Sequence, residues 1–208
     1  MNAMYSPVKR LLDIFLTAVL IVIFFPVWLI VPLLIWFDSG FPIIYSHRRV
    51  GQDGRQFRLY KFRTMVKNAD YVLHRKDKKL LRQFKKHDWK LVDDPRITKL
   101  GRLLRNLTLD EFPQLINVFR GEMSLVGPRA YLKKELTDQT KKYPQTRPWI
   151  KKILSVKPGI TGPWQTSGRN IISFDKRAQM DLNYANHHNL WWDLIIILKT
   201  PIAMVSKW

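Results

Sequence analysis

The chain has 208 residues, enough for one modest domain with an attached element and too few for two large ones. Its 36 Lys and Arg against 16 Asp and Glu leave a net charge of +20, which calls for an anionic partner: nucleic acid, anionic lipid or a phosphorylated substrate. With 46% hydrophobic and 12% aromatic residues it is no disordered polycation, and the absence of Cys excludes disulfides, Cys-ligated metals and a thiol nucleophile.

The charge is unevenly placed. In residues 1–40 Lys9 and Arg10 cancel Asp13 and Asp38, so the whole surplus lies behind an apolar N-terminal segment. No residue from Ile14 to Phe37 is charged, a stretch long enough for a membrane-embedded helix and too long for a secretory signal. Pro26 sits near its middle and Pro32 follows, so the helical ladder is interrupted there. Both flanks are basic, with Lys9 and Arg10 before and Arg48, Arg49 and Arg55 after. The positive-inside rule then places both ends on one side, which a re-entrant helix bent near Pro26 satisfies; a kinked span is the alternative, since prolines are tolerated in transmembrane helices.

Further along, Gly51 and Gly54 mark a turn before a strand over Phe57–Met65. The basic run Arg75–Lys90 reads as a helix with a thin stripe of Leu80, Leu81 and Phe84, beside anionic headgroups. Ile97, Leu100, Leu103, Leu104 and Leu107 follow helical spacing, with Asp94-Pro95 as cap and first-turn proline. That helix either lies in the headgroup plane or packs on the core. Near the C-terminus, Trp191, Trp192 and Leu194–Leu198 predict another helix, the tryptophans favouring the interface. His187 and His188 have no third ligand at a fitting spacing and read as surface residues. The fold expectation is α+β and mostly helical, with residues 1–40 as the membrane element and 41–208 as the catalytic domain.

The chemistry concentrates in Thr108-Leu109-Asp110-Glu111-Phe112-Pro113-Gln114. No phosphate loop, dinucleotide fingerprint or H-E-x-x-H motif is present. Thr108 and Glu111 have capping-box spacing, which puts Asp110 and Glu111 at a helix N-terminus. There the backbone N–H groups and the dipole keep Asp110 ionised and welcome a phosphate. An ionised carboxylate attacks phosphorus, and two adjacent acids hold a hard cation that screens the approach.

Five segments in order resemble one family: Lys9-Arg10-Leu11-Leu12-Asp13, Tyr60-Lys61-Phe62-Arg63-Thr64-Met65, Leu109–Leu115, Met123–Arg129 and Lys157–Gly162. By them the chain is similar to the bacterial sugar transferases, the monotopic polyprenyl-phosphate phosphoglycosyl transferases, in a minimal catalytic form. The resemblance implies interfacial helices and a two-step transfer of sugar 1-phosphate from a UDP-sugar to undecaprenyl phosphate. The product is undecaprenyl-diphospho-sugar, the by-product UMP, and the step opens assembly of O-antigen, exopolysaccharide or capsule.

In the family the nucleophile maps onto Asp110, with Glu111 assisting, and both would hold Mg²⁺ or Mn²⁺. Arg63, Arg105 and Arg129 match the basic residues around the phosphates, where guanidinium forks suit the geometry. Lys9 and Arg10 would meet a lipid phosphate or headgroup. The loop from Gly159 to Asn170 would approach the nucleotide through Gly162, Trp164, Gln165, Gly168 and Arg169. The implied partners are the two substrates and membrane phospholipids, with no nucleic acid and a homodimer left open, at the cytoplasmic face of a bacterial inner membrane. The sequence departs from the family at Phe25-Pro26, where a Ser often precedes the proline, and at Ala130, where a second proline is common. The competing classes are a membrane-tethered nucleic-acid-binding protein and a non-enzymatic scaffold; both leave the Asp110–Glu111 pair without a role.

Overall fold

The computed structural model describes residues 5–86, 91, 93–167 and 172–205. The apolar segment forms two helices, α1 (Tyr5–Ile23) and α2 (Phe25–Ser39), bent by 62°. The break falls at Phe24 (φ −98°, ψ 22°), two residues before Pro26, which is the second residue of α2. This corrects the position expected from sequence and has a simple cause. A proline is tolerated in a first helical turn, but its ring collides with the ladder one turn upstream, so α1 ends before reaching it. Pro32 lies inside α2 without ending it. Among the described residues no single helix is long and apolar enough to cross a membrane, although the bent pair together is.

One face of this pair is built into the protein. Asp13 and Thr17 of α1 and Val31 and Ile35 of α2 are buried, and the Leu125 N–H donates to Asp13 Oδ1 at 3.1 Å. The other face leaves Phe15, Val22, Phe25, Leu29, Leu33 and Phe37 exposed. Exposed apolar surface on that scale needs a non-aqueous neighbour.

Strands β1 (Ile44–Val50) and β2 (Gln56–Phe62) pair antiparallel, Ile44 opposite Phe62 and Val50 opposite Gln56. The strand expected over Phe57–Met65 ends at Phe62, and Met65 returns as an isolated bridge to Ile97. After a single turn α3 (Ala69–Tyr71), the basic run yields α4 (Lys78–Lys86) with Leu80 buried; residues 87–90 of that run lie outside the described ones.

Helix α5 (Lys99–Asn106) is capped by Thr98, whose Oγ1 accepts from the Gly101 N–H at 2.9 Å, and not by Asp94. The Asp94 carboxylate is already engaged by the Arg96 guanidinium, which donates from Nε at 2.8 Å and Nη2 at 2.6 Å. A buried bidentate pair outcompetes a single capping bond. Leu104 of α5 is buried while Leu103 and Leu107 stay exposed, so the helix both packs on the core and presents an apolar edge.

The remaining elements are α6 (Gln114–Phe119), β3 (Ser124–Val126), α7 (Lys133–Lys142), α8 (Arg147–Ile153), β4 (Gly159–Thr161), α9 (Phe174–His187) and α10 (Leu190–Val205). Strands β3 and β4 pair parallel, Ser124 with Gly159 and Val126 with Thr161. The mostly helical α+β expectation holds, with two small sheets.

Phe57, Leu115, Val118, Met123 and Leu125 form one core cluster, to which Leu16 and Leu20 of α1 and Trp28 of α2 add. Lys9 closes the chain ends together, its Nζ 2.7 Å from Asp193 Oδ2 at the start of α10. Asn117 locks α6 to the hairpin: its Oδ1 accepts from Tyr60 N at 3.1 Å, and its Nδ2 donates to Arg58 O at 2.7 Å and Glu122 Oε2 at 2.6 Å. Asn117→Leu therefore strands buried backbone groups and is expected to cost about 3 kcal/mol, read as a lower melting temperature in detergent.

Candidate active site

The segment carrying Asp110 and Glu111 is not the capped helix start expected from sequence. Thr108 adopts a left-handed backbone (φ 57°), makes no side-chain cap, and is followed by a single 3₁₀ turn, Leu109–Glu111. Helix α6 begins only after it, with Pro113 as its N-cap. The two backbone donors of the expected capping box are already engaged, Thr108 N–H by Arg105 O at 3.0 Å and Glu111 N–H by Thr108 O at 3.3 Å. A left-handed β-branched residue costs about 1–3 kcal/mol, and strain of this kind persists where surrounding structure enforces it.

The turn drives the Asp110 carboxylate inward, where the residue is 4% exposed. Lys61 of β2 meets both acids, its Nζ 3.5 Å from Asp110 Oδ2 and 2.5 Å from Glu111 Oε1. Asp110 Oδ1 is buried and has no hydrogen-bond partner among the described residues. Burial pushes the Asp110 carboxyl above its ordinary range; the Lys61 ammonium opposes that, Glu111 adds to it and Arg105 opposes it. Here the structure corrects the expectation of a helix terminus holding Asp110 ionised. Desolvation dominates, and Lys61 and Arg105 supply the counter-charge instead.

Arg105 of α5 is positioned by its Nε donating to Thr64 Oγ1 at 2.9 Å. That approach depends on Gly101, where a Cβ would stand 2.0 Å from Thr64 O. Dyad, Lys61 and Arg105 thus form one cluster. Arg63 is turned elsewhere: it is buried, and its Nη2 donates to Ser39 Oγ at 2.8 Å and Gly40 O at 2.5 Å, at the end of α2.

Arg129 lies in a second cluster, its backbone N–H on Asp181 Oδ2 at 3.1 Å and its guanidinium 5.3 Å from the Trp164 ring centre. Gly162 fits beneath this loop as glycine alone, since a Cβ would meet Gly127 O at 2.2 Å. Gln165 Oε1 is buried without a partner among the described residues. Arg169, with Gly168 and Asn170, lies outside the described residues.

Lys9 is engaged by Asp193 rather than turned outward. Arg10 donates to Val118 O at 2.6 Å and Phe119 O at 2.9 Å, closing the C-terminal end of α6, the helix that follows the dyad. His187 and His188 bond locally, to Asn183 and to Ala185 O.

Among the described residues no three His, Cys, Asp or Glu side chains gather as a metal site. The dyad nevertheless suits Mg²⁺ or Mn²⁺ in one particular way. Two carboxylates, one with an unpartnered buried oxygen, match a cation that takes most of its ligands from substrate phosphates and water.

The bacterial sugar transferase family matches residues 4–207. The chain belongs to that family. It is a transferase, and its Asp110–Glu111 turn sits inside the matched region. The exopolysaccharide production protein ExoY of Sinorhizobium fredii is 40% identical over 206 residues, 96% of this chain and 86% of the relative. The undecaprenyl-phosphate galactose phosphotransferase of Salmonella typhimurium is 40% identical over 201 residues, covering 96% of this chain and 40% of that longer protein. The UDP-N-acetylgalactosamine-undecaprenyl-phosphate N-acetylgalactosaminephosphotransferase of Aeromonas hydrophila is 32% identical, with 96% of this chain and 44% of the relative covered.

In this sugar transferase Lys61 belongs to the Tyr60–Met65 segment, whose sequence alone gives it no role. The farther of the lysine's two partners, Glu111, lies 50 residues away along the chain. The available signal was the lysine's place on β2 two residues after Leu59 and four after Phe57, on the face that those buried side chains turn inward.

Proposed function

We propose that this sugar transferase moves sugar 1-phosphate from a UDP-hexose or UDP-N-acetylhexosamine to undecaprenyl phosphate through a covalent Asp110 intermediate. The observation that carries the reading is Asp110 itself, a buried carboxylate with one unpartnered oxygen beside Lys61 and Arg105. Oδ1 attacks the sugar-bearing phosphorus, a P–O bond to it forms, and the bond to UMP breaks. The lipid phosphate then attacks the same phosphorus and releases Asp110. Lys61 favours the charged form of Asp110 against the effect of burial, and Arg105 adds positive potential where phosphate charge accumulates. Asp110 and Glu111 would hold Mg²⁺ or Mn²⁺, which neutralises charge on the diphosphate. The names of the Salmonella and Aeromonas relatives support the lipid acceptor and both sugar classes.

The decisive assay mixes the protein with undecaprenyl phosphate and a panel of UDP-sugars. UMP release with one of them is expected, to stop in EDTA and return with Mg²⁺. No release from any UDP-sugar would overturn the reading, and full activity in excess chelator would remove the metal.

The bent α1–α2 pair, its exposed apolar face and the basic residues at both flanks support a re-entrant hairpin at the cytoplasmic face of the inner membrane. The chain has no Cys, so single cysteines at Ser6 and Ser46 report cleanly. Both are expected to react with an impermeant maleimide only in opened spheroplasts; labelling at position 6 in intact ones would establish a span instead.

A further inference from the structure

Arg177 of α9 is 0% exposed, and its Nε, Nη1 and Nη2 all lack a hydrogen-bond partner among the described residues. A buried guanidinium ordinarily sits on carboxylates or carbonyls, because desolvated donors without acceptors are costly. Arg177 instead lies against rings, its guanidinium carbon 5.6 Å from the centre of Trp164 and 5.9 Å from that of Phe174. Asp181 follows one turn later on the same helix and would be the cheap structural partner. It makes no hydrogen bond to Arg177 and acts on it only through charge: its Oδ2 accepts from the Tyr131 hydroxyl at 2.7 Å and the Arg129 N–H at 3.1 Å, while Oδ1 has no hydrogen-bond partner among the described residues.

The surrounding charges do not balance. Arg49 lies 3.8 Å from Glu135 Oε2, and Arg129 Nε lies 4.0 Å from Glu135 Oε1. Three guanidinium groups, Arg49, Arg129 and Arg177, thus share two carboxylates, Glu135 and Asp181, and burial pushes the latter up to about 6. Arg129 is the member that reaches solvent, with its side chain 30% exposed, and it lies over the same Trp164 ring as Arg177. Its own Nε, 4.0 Å from Glu135, is buried without a hydrogen-bond partner among the described residues.

We infer that Arg177 is the buried half of a phosphate-binding site whose open half is Arg129, with Trp164 beside both. A phosphate drawn past Arg129 supplies the negative charge that this cluster lacks and the acceptor oxygens that Arg177 lacks. Guanidinium groups suit that ligand because their planar forks match phosphate oxygens. The inference rests on the reading of the enzyme as a handler of nucleotide diphosphates. The same chemistry would come from the diphosphate of UDP or from the phosphate of a polyprenyl lipid.

Calorimetry on the full chain in detergent, with UDP, uridine and undecaprenyl phosphate as separate probes, tests it alongside melting curves without ligand. Arg177→Met is expected to weaken UDP binding about 10- to 100-fold and to leave uridine binding unchanged. Its melting temperature without ligand should equal or exceed that of the wild type, since buried donors without acceptors have gone and two guanidinium groups remain for two carboxylates. Loss confined to undecaprenyl phosphate would support the site with the lipid as its source. Unchanged affinity for both phosphates, or a lower melting temperature with unchanged affinity, would make Arg177 structural and overturn the inference. Arg177→Lys, which keeps the charge and loses the fork, is read the same way should the Met variant not fold. A wild type that binds no UDP defeats the functional reading; a wild type that binds it as tightly as Arg177→Met defeats only this one.

Discussion

Asp110→Asn is expected to abolish turnover, lowering UMP release by at least about a thousandfold, roughly 4 kcal/mol of barrier. The amide has the shape of the carboxylate but no anionic oxygen to attack phosphorus, so the loss falls on chemistry and not on binding. Folding should survive. The carboxylate is buried and pushed above its ordinary range, so replacing it with a neutral group removes a desolvation cost. Intact-mass analysis with UDP-sugar alone should show a sugar-phosphate adduct on the wild type and none on Asp110→Asn. Normal turnover by the variant would remove Asp110 from the mechanism.

Lys61→Met is expected to lower kcat/KM about a hundredfold at neutral pH and to move the acid limb of its pH profile upward. Burial raises the Asp110 pKa, and the Lys61 ammonium is the largest opposing influence. Without it Asp110 holds its proton to higher pH, and its repulsion with Glu111 is no longer offset. The nucleophile must be ionised, so activity is lost as pH falls through the folded-state pKa, and that point rises in the variant. The stability sign is the reverse. A carboxyl whose folded pKa is raised binds its proton more tightly than in the unfolded chain, so stability declines as pH rises from the unfolded towards the folded value. In Lys61→Met that decline should extend to higher pH. Lys61→Arg keeps a cation beside both acids and should recover part of the rate. An acid limb unmoved in Lys61→Met would show that the lysine does not tune Asp110.

The sequence by itself determined those features that short-range patterning encodes. The uncharged run Ile14–Phe37, interrupted at Pro26, is legible as a broken apolar helix because charge and proline act locally. The turn at Gly51 and Gly54, the strand after it and the Trp191–Leu198 helix follow from turn chemistry and apolar runs in the same way, while the partner strand Ile44–Val50 shows only in the structure. Asp110 and Glu111 stood out because adjacent acids in a basic chain are conspicuous, and because the segments flanking them match a family in order.

Tertiary structure decided the rest, wherever a side chain's partner lies far along the chain or competes with a local one. Asp94 has the right spacing to cap α5, but Arg96 captures its carboxylate, so Thr98 caps instead. Thr108 and Glu111 have capping-box spacing, yet packing turns Thr108 left-handed and buries Asp110, which reverses the expected direction of its pKa. Lys61 becomes part of the site only because β2 lies against the 3₁₀ turn. Arg63 and Arg105 both match basic residues of the family, but one closes the end of α2 and the other acts on Asp110, a division set by which backbone each can approach. Local spacing fixes which groups are near in sequence; desolvation and charge pairing depend on which groups the fold brings together, and those set the chemistry of the site.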